Sequence, residues 1–297
     1  MWVALELNML RFLPIILSDT SDMLLERGLK YFLVQSVRSI LFLVGSLTIL
    51  RGSFPDPTCL ITIPILVKLG AAPFHGWFIR ILSIVQIRTL TLLSTLQKLT
   101  PLLLLLHLKI SYWLFMVTVL ATTAVRVTLG ATVTPLAKIL AASSLNNLAW
   151  FLLSSQLSIK LLVFVFSIYR VLLTSLTILI KLRGDWNFRR RSSSTPTLIM
   201  AIFLTFLSLG GLPPLLGFLS KAVAIKEMLP YYATELLTLL TLRSLFILYY
   251  YISIRLSSLT LFPSTGHGTT KGNLNSKIRA LIVTLNLFFP IAVLFFS

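Results

Sequence analysis

Four ionisable side chains stand among almost wholly apolar neighbours: Glu6 in WVALELNML, Lys68 in ILVKLGAAPFH, Lys98 in LLSTLQKLTP and Lys221 in PPLLGFLSKAV. An ionised group at the centre of a bilayer costs about 2.5–3.5 kcal/mol on insertion scales, so such groups usually pair, line water or do chemistry. Carboxylates and amines suit proton handling, because leaving water disfavours the charged form of each while a neighbouring opposite charge restores it. Moving one charge nearby can therefore switch a buried lysine between holding and releasing its proton. His75 and Lys138 are further candidates for the same relay: His75 follows a Gly/Pro-rich run, and Lys138 opens a helix just after Pro135. Thiol ligation is not expected, since Cys59 is the only cysteine and no CxxC or Cys/His cluster offers ligands to zinc or an iron–sulfur centre. No metal site is expected in this chain.

Three of the lysines sit beside residues that interrupt helices. In Lys68-Leu69-Gly70-Ala71-Ala72-Pro73-Phe74-His75, Pro73 has no N–H and leaves the Leu69 carbonyl without its helical partner. In Gly210-Gly211-Leu212-Pro213-Pro214, the two prolines free the carbonyls of Leu209 and Gly210, with Lys221 following. Pro101 does the same to Gln97, next to Lys98. A helix that breaks inside a membrane needs internal polar company. Two Gly/Pro-broken helices in separate halves of one bundle point to transporters built from inverted repeats, whose ion path crosses near the bilayer midplane at the breaks.

The elements that hold these residues follow from composition. Of 297 residues, 57% are hydrophobic and 11% charged, against about a quarter charged in ordinary soluble domains. That excludes a soluble globular protein and indicates an all-α polytopic membrane bundle of about ten helices, antiporter-like, with two of them broken. Apolar stretches near the roughly 20 residues needed to cross hydrocarbon are expected at 1–17, 30–50, 57–79, 84–107, 111–130, 135–155, 158–182, 197–229, 232–257 and 278–296. One antiporter-like domain is expected over 1–297, with a truncated first repeat at 1–130, a second repeat at 131–257, and a loop and C-terminal helix at 258–297. The 26 Lys and Arg against 8 Asp and Glu give a net charge of +18. In a membrane chain this excess reads as topology and lipid contact rather than nucleic-acid binding. The basic connections at 181–196 and 258–279 fall on one face, and the positive-inside rule makes it cytoplasmic or matrix; an even helix count then places both termini on the other face.

The motifs LELNMLRFLPI, KYFLVQS, KLGAAPFHGWF, QKLTP, LAKILAASSLNNLAW, LSLGGLPPLLGFLSK and LTLFPS occur along nearly the whole chain in the order of one family. The chain resembles subunit 2 of the mitochondrial NADH:ubiquinone oxidoreductase, respiratory complex I, starting one helix later than other animal members. The resemblance implies an antiporter-like proton channel of the inner mitochondrial membrane, placed among other membrane-arm subunits. It also implies no cofactor of its own, because NADH, FMN, the iron–sulfur clusters and ubiquinone are handled elsewhere in the complex. Glu6 is then similar to the family's glutamate, Lys68 to its paired lysine, Lys98 to the central relay lysine and Lys221 to the lysine at the second break. Lys138 also matches a family lysine. Many members carry a histidine where Asn147 stands, so protonation bridging that point would run through water. A freestanding cation/proton antiporter shares the broken-helix lysines, and a structural subunit that seals the membrane arm is the third alternative.

Arg38, Arg88, Arg126, Arg170 and Arg243 lie within or at the edges of apolar spans, with too few acids to pair them all. The family normally has small residues at such places. The expectation is that most are encoded by AGA or AGG, which many invertebrate mitochondria read as Ser.

Overall fold

The computed structural model describes residues 2–17, 22–51, 58–82, 86–108, 110–130, 136–183, 196–232, 234–245, 249, 277–284 and 286–287. Among them every regular element is a helix. In chain order these are α1 (Trp2–Ile16), α2 (Asp22–Arg51), α3 (Thr58–Leu69), α4 (Gly76–Leu82), α5 (Ile87–Ser94), α6 (Leu96–Leu106), α7 (Tyr112–Gly130), α8 (Leu136–Leu157), α9 (Ile159–Arg183), α10 (Pro196–Gly210) and α11 (Leu216–Met228). Helical residues 234–245 and 277–284 follow as α12 and α13.

All ten expected spans contain helix. Gly28–Arg51, Ile87–His107 and Ile159–Arg183 are each long and apolar enough to cross a membrane alone. The 12 residues of α3 rise about 18 Å, well short of a hydrocarbon core about 30 Å thick. The third span is therefore completed by α4 beyond a break, and the eighth by α10 and α11 in the same way.

Both breaks use one local device. At the end of α3, Gly70 adopts φ +69°, its N–H donates to Val67 O at 3.1 Å, and Ala71 N–H donates to Leu66 O at 3.0 Å. At the end of α10, Gly211 adopts φ +87°, donating to Ser208 O at 3.0 Å, while Leu212 N–H donates to Leu207 O at 3.3 Å. This is the Schellman pattern, in which a left-handed residue turns its own and the next N–H back onto carbonyls that have lost their helical partners. Glycine is the residue that reaches such φ values without strain. The prolines at 73, 213 and 214 follow two or three residues later, where they prevent the helix from resuming at once.

A third interruption differs from the expectation. Pro101 lies inside α6 and does not break it; the distortion falls at Thr95, with φ −114° and ψ −77°. The Thr95 hydroxyl donates to Thr91 O at 2.6 Å and the Ser94 hydroxyl to Leu90 O at 2.7 Å. Hydroxyls bonded back onto the preceding turn compete with amides for its carbonyls and bend the helix. The bend comes three residues before Lys98.

The chain packs as two compact units, Met1–Leu129 with Ala137–Leu162, and Gly130–Leu136 with Val163–Ser297. In the first, α2 packs against α1, α3 and α4, and α3 against α6. Helix α8 is largely buried: Leu145, Leu148, Trp150, Phe151 and Leu153 are almost wholly covered, and so are its polar residues Ser143, Ser144, Asn146, Ser154 and Ser155. On α2, Leu29, Leu33, Val37, Ile40 and Leu47 are exposed, an apolar stripe suited to lipid or to another membrane helix. In the second unit α10 packs against α11. Most of the 181–196 and 258–279 connections lies outside the described residues.

Candidate proton-relay site

The first unit brings a half-buried Glu6 on α1 together with the buried Arg38 on α2 and Lys68 on α3. Glu6 takes its ion pair from Arg38, whose Nη2 lies 3.2 Å from Glu6 Oε1. The sequence reading has Glu6 and Lys68 approach one another, and they do so without a direct ion pair: Lys68 Nζ donates to the backbone carbonyl of Leu5, next to Glu6, at 3.4 Å. Helix geometry accounts for the difference, since Arg38 follows Tyr31 by two turns on the inward face of α2 and both side chains are buried there. Arg38 is thus not a cation without an acid. Its hold on Glu6 is single-pronged, however: Nε and Nη1 have no hydrogen-bond partner among the described residues. A guanidinium gripping a carboxylate with both prongs would bind it more tightly.

Lys98, on α6, is 1% exposed. Its Nζ donates to Ser144 O of α8 at 3.0 Å and lies 4.7 Å from the centre of the Phe78 ring. One carbonyl and one ring face replace most of the shell that water would supply, which leaves the balance between amine and ammonium open to influence by charges nearby. One residue before Lys98, Gln97 donates to Asn8 Oδ1 at 3.1 Å, a polar tie between α6 and the helix that carries Glu6. Asn147 donates to Ser143 O at 3.0 Å, beside the carbonyl that receives Lys98.

Lys221 belongs to the second unit. From the second turn of α11 it reaches back over Gly211 and donates to Gly210 O, one of the carbonyls that Pro214 was expected to free. A cation there also meets the negative end of the α10 dipole. Lys68 and Lys221 are therefore not equivalent: one precedes its glycine by two residues, the other follows by ten. His75 lies within the first break, where its carbonyl accepts Ile79 N–H at 3.3 Å and its Nδ1 is buried without a hydrogen-bond partner among the described residues. Lys138 is in the first turn of α8, and its side chain lies outside the described residues. Arg88 and Arg170 are exposed, Arg243 is half-buried, and the Arg126 side chain is also outside them.

Residues that the sequence did not single out join the cluster. Tyr31 packs edge-on against Phe12 and at a tilt against Trp77, both at 5.8 Å, and the Trp77 indole N–H donates to Val67 O at 3.0 Å. Phe78 packs against Gly70 and faces Lys98. Their only signal in the sequence is membership of quoted motifs: Trp77 and Phe78 of KLGAAPFHGWF, Tyr31 of KYFLVQS and Phe12 of LELNMLRFLPI.

Residues 57–247 match the family described as NADH:quinone oxidoreductase/Mrp antiporter, TM. NADH-ubiquinone oxidoreductase chain 2 of Gallus gallus is 33% identical over 281 residues, covering 90% of this chain and 81% of that protein. Its counterpart from Artemia franciscana is 35% identical over 268 residues, covering 89% and 84%. Among solved structures, a chain of respiratory complex I from Thermus thermophilus with bound aureothin superposes with a TM-score of 0.77 at 21% identity, over 97% of this chain and 72% of that one. The chain belongs to the NADH-ubiquinone oxidoreductase chain 2 family.

Proposed function

We propose that this chain is a proton-translocating core subunit of the membrane arm of NADH:ubiquinone oxidoreductase, moving protons while other subunits pass electrons from NADH to ubiquinone. The observation that carries the reading is the wholly buried Lys98, held by one carbonyl and one aromatic ring rather than by an acid. Such a group can load and release a proton as the charge around it changes, whereas a lysine locked to a carboxylate stays charged. In this reading Glu6 and Lys68 bias Lys98 from one side, and Lys221 takes the proton onward. Each charge moved against the membrane costs about 2.3 kcal/mol per 100 mV, so the site must change its proton affinity within the cycle. The chain carries no redox centre; NADH, FMN, iron–sulfur clusters and ubiquinone belong to its partners, and the exposed stripe of α2 faces those membrane subunits or lipid.

Lys98→Met keeps the bulk and removes the titratable amine. In reconstituted enzyme the chain is expected to assemble normally while proton transfer through it falls about 100-fold or more, the scale of losing a positioned proton donor. Unchanged turnover and unchanged protons per electron would assign the chain a sealing role instead. The chain is placed in the inner mitochondrial membrane with both termini facing the intermembrane space. Protease added to mitoplasts should cut at the termini and spare the 181–196 loop; the reverse pattern would invert the orientation.

A further inference from the structure

The break between α3 and α4 and the buried amine of Lys98 meet at one ring. A Cβ placed on Gly70 would lie 3.0 Å from Phe78 Cβ and 3.2 Å from its Cγ, so the base of the Phe78 side chain rests on the backbone of the break. The ring is 1% exposed and its face lies 4.7 Å from Lys98 Nζ. Trp77 stands edge-on to it at 5.8 Å, and its indole N–H holds Val67 O in the last turn of α3. The next residue is Lys68. The first turn of α4 thus grips the end of the helix that carries one lysine and offers an aromatic face to the other.

A ring face attracts an ammonium through its quadrupole and has no comparable attraction for a neutral amine. Loss of the proton from Lys98 therefore removes a force acting on Phe78, while its gain restores that force. Because the base of the Phe78 side chain packs tightly on Gly70, a displacement of the ring presses on the backbone of the break. We propose that Phe78 is a positioning residue that senses the charge on Lys98 and transmits it to the α3–α4 break, and so to the setting of Lys68. This rests on the relay reading of Lys98 but makes a separate claim: the two lysines communicate mechanically through the ring as well as through the electric field.

The test is amide hydrogen exchange over the break in the intact complex, read at Ala71, Ala72, Phe74, His75 and Gly76, alongside protons translocated per electron pair. Lys98→Met removes the charge without touching the ring, and Phe78→Leu removes the ring while keeping an apolar side chain. Both should speed exchange at the break about fivefold, in line with losing one cation–π contact. Phe78→Tyr, which keeps the π face, should stay near the parent, and the Lys98→Met/Phe78→Leu double variant should exceed neither single one. If Lys98→Met leaves exchange at the break unchanged, the coupling is wrong whatever Phe78→Leu does, and this holds even if Phe78→Leu does not assemble. Loss of proton yield with unaltered exchange would retain the relay and discard the coupling. Altered exchange with full proton yield would retain the coupling and discard the relay.

Discussion

Replacing Gly217 by alanine should remove the chain from the assembled complex. Gly217 lies in the first turn of α11, and a Cβ there would stand 1.6 Å from Ser208 O and 2.7 Å from its carbonyl carbon. The obstacle is backbone within α10 rather than the end of a flexible side chain. The Gly217 N–H also donates to the Ser208 hydroxyl at 3.2 Å, which ties the backbone of α11 to a side chain of α10 at the same place. A methyl can enter only by driving α10 and α11 apart, which loses that bond and draws Lys221 away from Gly210 O. Overpacking of ordinary cores costs about 1–3 kcal/mol, and this overlap, far inside van der Waals contact, should exceed that range. Native electrophoresis of the complex and its heat-inactivation temperature provide the measurement. Gly76→Ala is the control: no atom lies within 4 Å of a Cβ there, and the variant should assemble as the parent does.

The second large effect concerns the ion pair between α1 and α2. The Arg38 side chain is 0% exposed and that of Glu6 18%. A guanidinium keeps its charge at any pH a protein survives. Glu6→Gln therefore leaves a buried cation without its acid, expected to cost about 3–5 kcal/mol. Adding Arg38→Met should recover most of that loss, since an apolar side chain of similar length replaces the stranded charge. Arg38→Met alone should cost less than Glu6→Gln alone, because the partly exposed carboxylate retains contact beyond the core and Lys68 lies beside Leu5, the residue before it. Heat inactivation of the three variants reads the order. An unchanged Glu6→Gln enzyme would show that the pair carries no stability.

The ten spans were legible because the bilayer imposes a length of apolar sequence that few other constraints disturb. The breaks at Gly70 and Gly211 were legible for an equally local reason, since Gly and Pro act through their own backbones. Thr95 escaped notice because its interruption is made by side-chain hydroxyls, whose bonding to the previous turn is optional for any Ser or Thr. The polar partners escaped for a different reason. Lys68, Lys98 and Lys221 all donate to main-chain carbonyls, of Leu5, Ser144 and Gly210, and every residue carries a carbonyl, so residue types give no hint of which is reached. The ion pair of Arg38 escaped because charges were weighed span by span, whereas its acid sits on another helix. Phe78 was not singled out, because only its placement between Gly70 and Lys98 distinguishes it from the chain's other aromatic residues.

The central claim, that Lys98 holds and releases a proton, is tested most directly by Lys98→Arg set beside Lys98→Met. Arginine retains the positive charge and can donate to Ser144 O, but it does not give up its proton in a protein. Protons translocated per electron pair are measured in reconstituted, fully assembled enzyme for both variants. If the amine must cycle between its two forms, Lys98→Arg should lose proton yield as fully as Lys98→Met. A Lys98→Arg enzyme that translocates normally would contradict the account and make Lys98 a fixed charge.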